Sequence, residues 1–219
     1  MKIKQIDDLS LDLNDDTPIY PGDPEPHFEV ATTTEHDGYN LSSIHLGSQS
    51  GSHVDAPFHF RDDGTRVDDM PLSLFFGKAM VIDATTKGAN QPITLEDVAP
   101  YLDQVATHPF VLFKTGWTDK YIHTETYFQH PFVSGDVAEA LVARGIKFLG
   151  IDTINADQTG GTAFPVHDLF SNRNLMIGEN WGHFDKIQSD NFYLAAFPIR
   201  WHCDGSPVRP VAIEVADDD

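Results

Sequence analysis

The side chains best suited to chemistry lie in residues 49–60, Gln-Ser-Gly-Ser-His-Val-Asp-Ala-Pro-Phe-His-Phe. In an extended chain alternate side chains share one face, so four polar side chains are predicted to lie together. Imidazole nitrogen suits zinc, and a carboxylate offsets the charge of the ion. A His and an Asp two residues apart are about as often structural, but two further polar residues in phase favour a metal site. The four residues are Gln49, His53, Asp55 and His59.

The second half of the chain offers further ligands. A catalytic metal site usually has three or more protein ligands and an open position for water. His167 precedes a predicted short helical segment, and Glu179 ends the apolar run Leu-Met-Ile-Gly-Glu. A helical turn followed by a returning strand can bring two such residues together, although spacing alone does not assign them to one site.

A protein nucleophile has little support in this sequence. The chain has no Gly-x-Ser-x-Gly elbow, no glycine-rich phosphate loop and no His-Glu-x-x-His helix. Its one cysteine, Cys203, lies between His202 and Asp204, but adjacent residues of an extended chain do not face each other. A metal site is therefore the better supported source of chemistry.

Length and composition limit the class of protein. The chain has 219 residues, enough for one full core and short for two ordinary domains, so we expect one domain over residues 1–219. A formal charge of −20 argues against nucleic acid and favours a small neutral or cationic substrate. The sequence shows no signal peptide or membrane span, and a lone cysteine fits a reducing compartment, so we expect a cytoplasmic protein.

Strand patterns dominate the first half and alternate with helical patterns later, which predicts a mixed α/β class. Residues 19–26, with three prolines, are predicted to form a fixed loop that carries Tyr20. Helices are predicted to begin after Thr94 and Ser134, and residues 217–219 are predicted to be a solvated tail. Strands are predicted at residues 3–13, 28–34, 39–47, 75–82, 109–114, 147–152, 175–179, 192–200 and 210–215.

Residues 49–60 resemble the signature of the metal-dependent cyclase family, His-x-Gly-Thr-His-x-Asp-x-Pro-x-His. The family includes bacterial kynurenine formamidase and isatin hydrolase. Further blocks resemble the family in the same order along nearly the whole chain. They are Tyr20-Pro-Gly-Asp-Pro, Thr115-Gly-Trp, Phe148-Leu-Gly-Ile-Asp-Thr, His167, Glu179-Asn and Asp204-Gly-Ser-Pro-Val-Arg.

The resemblance implies a swivelling β/β/α fold, with a central mixed β-sheet or barrel flanked by helices. It also implies a homodimer or higher homo-oligomer with one or two zinc or manganese ions. It implies that His53 and Asp55 bind metal and that Asp55 bridges to an ion held by His167 and Glu179. Gln49 stands where the family has its first histidine, and His59 corresponds to the acid/base residue. We expect an apolar pocket for an aromatic ring, with Tyr20, Phe58 and Trp117 as candidates.

Two functions follow as hypotheses. The first is a metal-dependent amidohydrolase that cleaves an aryl formamide resembling N-formylkynurenine, or opens a cyclic amide. The alternative is a non-catalytic metal- or small-molecule-binding protein on the same fold, which Gln49 favours because an amide oxygen is the weaker donor. The chain also has Asn155-Ala-Asp where the family often has Ser-x-Asp, and Tyr20 where kynurenine formamidases often have tryptophan.

Overall fold

The computed structural model of the protein describes residues 2–216, so the tail predicted at residues 217–219 lies outside the described residues. Within them, no helix is long and apolar enough to cross a membrane. The strands are β1 (Ile3–Asp8), β2 (His27–Thr32), β3 (Leu41–His45), β4 (His53–Asp55), β5 (Phe76–Asp83), β6 (Pro92–Ile93), β7 (Phe110–Lys114), β8 (Phe132–Val133), β9 (Phe148–Ile151), β10 (Met176–Glu179), β11 (Phe192–Ala195), β12 (Gly205–Pro207) and β13 (Val211–Val215). The α-helices are α1 (Thr34–Asp37), α2 (Leu95–Val98), α3 (Trp117–Tyr121), α4 (Gly135–Ala143) and α5 (Pro165–Asn172). Short 3₁₀-helices cover Pro57–His59, Val67–Asp69, Leu72–Leu74, Leu102–Gln104, Glu125–Gln129 and Phe184–Lys186.

A nine-stranded mixed sheet forms the centre of the fold, in the order β1-β13-β11-β5-β7-β9-β10-β4-β12. Strands β5, β7, β9 and β10 are parallel, and the outer strands on both sides pair antiparallel. The α/β class predicted from the alternation of elements is confirmed. Separate two-stranded sheets join β2 to β3 and β6 to β8.

Hydrophobic clusters cover both faces of the parallel strands, which explains why β7 is a continuous apolar run. Val111 and Phe113 pack with α4 and α5 on one face, whereas Phe110 and Leu112 pack on the other with Trp181. The predicted N-caps Thr94 and Ser134 are confirmed at the starts of α2 and α4.

The register of three neighbouring strands places the candidate ligands. Strand β4 lies between β10 and β12, and His53 pairs with Glu179 while Asp55 pairs with Ile177. Strand β4 therefore lies inside the sheet, and the side chains of His53 and Asp55 are buried.

Three local predictions differ from the structure. Residues 48–52 form turns rather than extended chain, with Gly51 at φ +65°, so β4 begins at His53. Pro57 starts a 3₁₀-helix directly after β4 and ends the alternation of faces. Helix α5 begins at Pro165, two residues before His167, because the Asp157 carboxylate accepts the backbone N–H groups of Val166 and His167.

Candidate metal centre and active site

Four buried side chains meet where β4, β10 and α5 converge. His53 Nε2 lies 3.5 Å from Asp55 Oδ1 and 3.6 Å from Glu179 Oε2. His167 Nε2 lies 3.4 Å from Asp55 Oδ2 and 3.2 Å from Glu179 Oε1. Each carboxylate therefore lies between two imidazoles, and the structure brings together His53, Asp55, His167 and Glu179.

Both imidazoles are oriented by a hydrogen bond from the opposite ring nitrogen. His53 Nδ1 donates to the Gly51 carbonyl oxygen at 2.8 Å. His167 Nδ1 donates to Asp157 Oδ2 at 2.7 Å. The Nε2 atoms are thereby directed into the cluster, which is the arrangement that metal-binding histidines adopt.

The donor set fits a divalent cation. Asp55 is 4% exposed, and neither carboxylate oxygen has a hydrogen-bond partner. A buried carboxylate without a partner is costly unless it faces a cation. Ligand atoms of His53, Asp55 and Glu179 all lie within 4.8 Å of one another. A metal ion at this position would satisfy both orphaned oxygens of Asp55.

The charges of the cluster shift its ionisation in the metal-free protein. Burial opposes a charged imidazole, but Glu179 and Asp55 outweigh it and raise the pKa of His53 to about 9. The same carboxylates, with Asp157, raise the pKa of His167 well above its ordinary value. Burial alone would raise the pKa of Glu179, yet the two imidazoles hold it below the ordinary range.

His59 lies beside this cluster on a second polar network. Its Nδ1 lies 2.9 Å from Asp204 Oδ2, and Asp204 also accepts hydrogen bonds from Ser48 Oγ at 2.7 Å and Gln49 Nε2 at 3.0 Å. Burial opposes protonation of His59, but the bond to Asp204 prevails and raises the pKa of His59. The His59 side chain remains 30% exposed, and its Nε2 makes no hydrogen bond among the described residues.

Gln49 contacts the His59–Asp204 pair through its amide nitrogen. Its Oε1 is buried and has no hydrogen-bond partner among the described residues. A Cβ at position 205 would lie 2.5 Å from Gln49 Nε2, so Gly205 leaves the space in which the amide lies. Ligation of a metal by Gln49 remains a prediction, with Oε1 as the atom available for it.

A cavity of about 260 Å³ is lined by residues of the candidate metal cluster and by His59. Phe60 stacks on the ring of His167 with 4.5 Å between ring centroids, and Phe164 packs edge-on against Phe60 at 5.5 Å. Such an aromatic wall next to convergent polar groups can hold a flat ring. The lining residues are Pro18, Tyr20, Asp23, Gln49, His53, His59, Phe60, Ile154, Asn155, Phe164, His167, Glu179 and Asn180.

Of the three predicted pocket residues, Tyr20 lines the cavity, whereas Phe58 and Trp117 do not. The Phe58 ring lies 3.3 Å from the Arg66 guanidinium, because the 3₁₀-helix at Pro57–His59 turns it away. Trp117 is buried against Tyr121, and its Nε1 donates to the Tyr127 carbonyl oxygen at 3.1 Å.

Sequence reasoning missed two residues of the aromatic wall. The same 3₁₀-helix that removes Phe58 brings Phe60 to the cavity, and Pro57 was the available signal. Phe164 precedes α5 in an irregular segment, and no sequence pattern marks it.

A family profile described as "Putative cyclase" matches residues 7–158 of this chain. The match covers more than half of the sequence. The chain belongs to the Cyclase family. The resemblance seen in the sequence motifs is thereby confirmed. Kynurenine formamidase of Bacillus cytotoxicus is 28% identical over 218 residues, covering 96% of this chain and 98% of that protein.

Solved structures share the fold of this Cyclase-family chain. An isatin hydrolase bound to the product analogue thioisatinate has a TM-score of 0.87 at 21% identity, covering 95% of this chain and 92% of its own. A potential metal-dependent hydrolase with cyclase activity has a TM-score of 0.79 at 24% identity, covering 97% and 99%. These likenesses show that the fold is shared over nearly the whole chain.

Proposed function

We propose that this chain is a metal-dependent amidohydrolase that cleaves an aryl formamide or opens a cyclic amide with activated water. The observation that carries the proposal is the buried carboxylate of Asp55, which has no hydrogen-bond partner and lies between two imidazoles, with His59 nearby. The similar proteins support the substrate class, since one is a kynurenine formamidase and another is an isatin hydrolase. We further propose that residues 1–219 form one hydrolase domain.

The metal would be held by His53, Asp55, His167 and Glu179, with Gln49 Oε1 as an additional donor. This mixture of nitrogen and oxygen donors supports Zn²⁺ or Mn²⁺. Asp55 and Glu179 each lie between two imidazoles, so these four residues would supply enough donors for one or two ions. When bound, the metal lowers the pKa of water toward about 7 and polarises the substrate carbonyl.

His59 is the proposed acid/base residue. Its Nδ1 is held by Asp204, so Nε2 is the atom that accepts a proton from the attacking water. The water oxygen bonds to the carbonyl carbon, the C–N bond then breaks, and His59 returns the proton to the leaving nitrogen. The products are a carboxylic acid and an amine, joined in one molecule when the substrate is cyclic. Such proton transfer typically contributes roughly 10²–10⁴-fold to the rate.

Substrate recognition is proposed to rest on the aromatic wall. Tyr20, Phe60 and Phe164 provide apolar area for an aryl ring, and the lining residues include no lysine or arginine. A substrate whose reacting end is neutral therefore fits this cavity better than one that brings an anionic group into it.

We also propose that the protein is a cytoplasmic homodimer. The hairpin β2–β3 forms a sheet of its own, and none of residues 27–45 is buried. Val30 is 76% exposed and Ile44 is 55% exposed. The register places Phe28, Val30 and Ile44 on one face. An isolated hairpin with an apolar face is marginally stable in water, which supports a second copy as its cover.

The rival function is a metal- or small-molecule-binding protein without catalysis, which Gln49 favours. The experiment compares wild type with His59→Ala, both loaded with zinc or manganese, on formanilide and isatin. We expect turnover by wild type and a loss of roughly 10²-fold or more in the variant, with metal content unchanged. Equal turnover would remove His59 from the mechanism. A fully loaded wild type that hydrolyses neither substrate would support the binding protein.

A further inference from the structure

Two asparagines in the cavity wall have no role in the mechanism described above. Asn155 is 6% exposed and Asn180 is 1% exposed, and both line the cavity that holds the candidate metal cluster. Buried amides are normally hydrogen-bonded through both oxygen and nitrogen. In each of these residues only the oxygen is engaged.

The orientation of the Asn155 amide is fixed by the backbone. Its Oδ1 accepts the backbone N–H of Asp157 at 2.7 Å. A backbone N–H can only donate, so the oxygen, not the nitrogen, must occupy that position. The Nδ2 group has no hydrogen-bond partner among the described residues and is not sealed from solvent. Two N–H donors are thus available to the cavity.

Asn180 is held in a comparable way. Its backbone has φ +60°, a left-handed conformation that asparagine tolerates. The backbone N–H donates to the Thr153 carbonyl oxygen at 2.7 Å, and its own carbonyl accepts Ser52 Oγ at 2.8 Å. The buried hydroxyl of Tyr127 donates to Asn180 Oδ1. The Asn180 Nδ2 group has no hydrogen-bond partner among the described residues, and the residue lines the cavity.

The two asparagines line the same cavity as Glu179. The backbone N–H of Ala156, next to Asn155, donates to Glu179 Oε1 at 2.6 Å. Asn180 directly follows Glu179 in sequence. Four N–H donors that make no hydrogen bond among the described residues therefore belong to side chains of the wall that also carries a candidate metal ligand.

We propose that the Nδ2 groups of Asn155 and Asn180 bind the carbonyl oxygen of the substrate and the charge that develops on it. This inference rests on the proposed hydrolase function. As the water oxygen bonds to the carbonyl carbon, the π pair moves onto the carbonyl oxygen, where the N–H groups donate to it. When the C–N bond breaks, the pair returns to restore C=O, and the leaving nitrogen receives its proton from His59.

The donors are preorganised for this role. Each amide oxygen is anchored to the fold, so the N–H groups need no reorientation as the charge forms. Removal of one such donor typically lowers kcat by roughly 10²–10³-fold. Asn155 and Asn180 are catalytic residues under this proposal, because they contact the reacting oxygen.

The test compares Asn155→Asp with Asn155→Ala in the metal-loaded protein. Aspartate keeps an oxygen that accepts the Asp157 N–H but has no N–H donor, whereas alanine loses both. We expect kcat on formanilide to fall roughly 10²–10³-fold in both, with KM within about threefold of wild type and metal content unchanged. Asn180→Asp should give a fall of the same order. Asn172→Asp, the same change at an exposed position on α5, should leave kcat unaltered.

The outcomes separate a catalytic from a structural role. Wild-type kcat in Asn155→Asp with a loss only in Asn155→Ala would mean that Asn155 supports the Asp157 turn, and would overturn the proposal. Loss of metal or of folded structure in both Asn155 variants would overturn it as well. If wild type and the asparagine variants turn over equally, this inference is refuted and the hydrolase function stands. An inactive, metal-loaded wild type refutes the hydrolase function, and this inference with it.

Discussion

At the scale of single residues, Asp55 presents the main electrostatic problem of the site. A carboxylate with two unpartnered oxygens inside a protein is stable only beside positive charge. In the metal-free chain that charge comes from protons on His53 and His167, whose pKa values the carboxylates raise. A metal ion and these protons therefore compete for the same ring nitrogens.

We predict that metal uptake releases protons at neutral pH. The pKa of His53 is raised from 6.5 to about 9, so its imidazole is protonated below about pH 9 and must lose the proton to bind metal. Metal affinity should therefore increase as the pH rises from 6 toward 9. Calorimetric zinc titrations in buffers of different ionisation enthalpy would measure the released protons, with His59→Ala as the control that keeps the cluster and releases as many. Binding without proton release would show that the imidazoles are neutral in the metal-free protein.

Some residues of the site could be predicted from the sequence because they share one strand. His53 and Asp55 are both within β4, where alternation holds, so their common face was predictable. Gln49 and His59 lie outside the strand, in a turn and in a 3₁₀-helix. Both reach the site through Asp204, 145 residues beyond His59, a contact that only the tertiary structure defines.

At the scale of elements, the site depends on the close packing of β10 between β9 and β4. Strands with long apolar runs, such as β7 and β9, were predictable because both of their faces are buried. Strand β12, Gly-Ser-Pro, has no hydrophobic signal, and its pairing with β4 places Asp204 at the site. The predicted first strand at residues 3–13 ends at Asp8.

Gly178 tests this packing. A Cβ at this position of β10 would lie 2.4 Å from Trp181 Cζ2 and 2.8 Å from Phe148 Cζ, both in fully buried rings. We predict that Gly178→Ala lowers the free energy of unfolding by about 1–3 kcal/mol, because neither ring has room to move. Urea denaturation would measure the change. Gly88→Ala is the matched control, since its Cβ would meet only the end of Gln91 at 3.6 Å. Equal stability of the two variants would contradict this description of β10.

At the scale of the whole molecule, the strand order and the crossovers of the sheet could not be derived from hydrophobic patterns. Strand β4 lies between β10 and β12, although more than a hundred residues separate it from either in sequence. The resemblance to a known family supplied the expected class of fold, which the structure confirms, but not the order of the strands. The exposed hairpin β2–β3 was predicted as two strands, but its separation from the main sheet was not foreseen.

The exposed apolar face of the hairpin β2–β3 leads to a prediction about the oligomeric state. We expect a dimer by size-exclusion chromatography with light scattering, and a monomer when Val30 and Ile44 are both changed to glutamate. Two charges on the apolar face would oppose its burial against a second copy. Ser43→Glu places a charge on the opposite face of the hairpin and should leave the dimer intact. A wild type that is monomeric at all concentrations would refute the proposed homodimer.

The metal content of the purified protein tests the proposed metal-dependent hydrolase most directly. It would be measured by plasma mass spectrometry for wild type and His53→Ala. The buried cluster of two imidazoles and two carboxylates predicts one or two zinc or manganese ions per chain in wild type. His53→Ala should retain the fold and lose most of that metal, because it removes a nitrogen donor from the cluster. A folded wild type that holds no stoichiometric metal, even after reloading, would contradict the metal-dependent hydrolase and favour the binding protein.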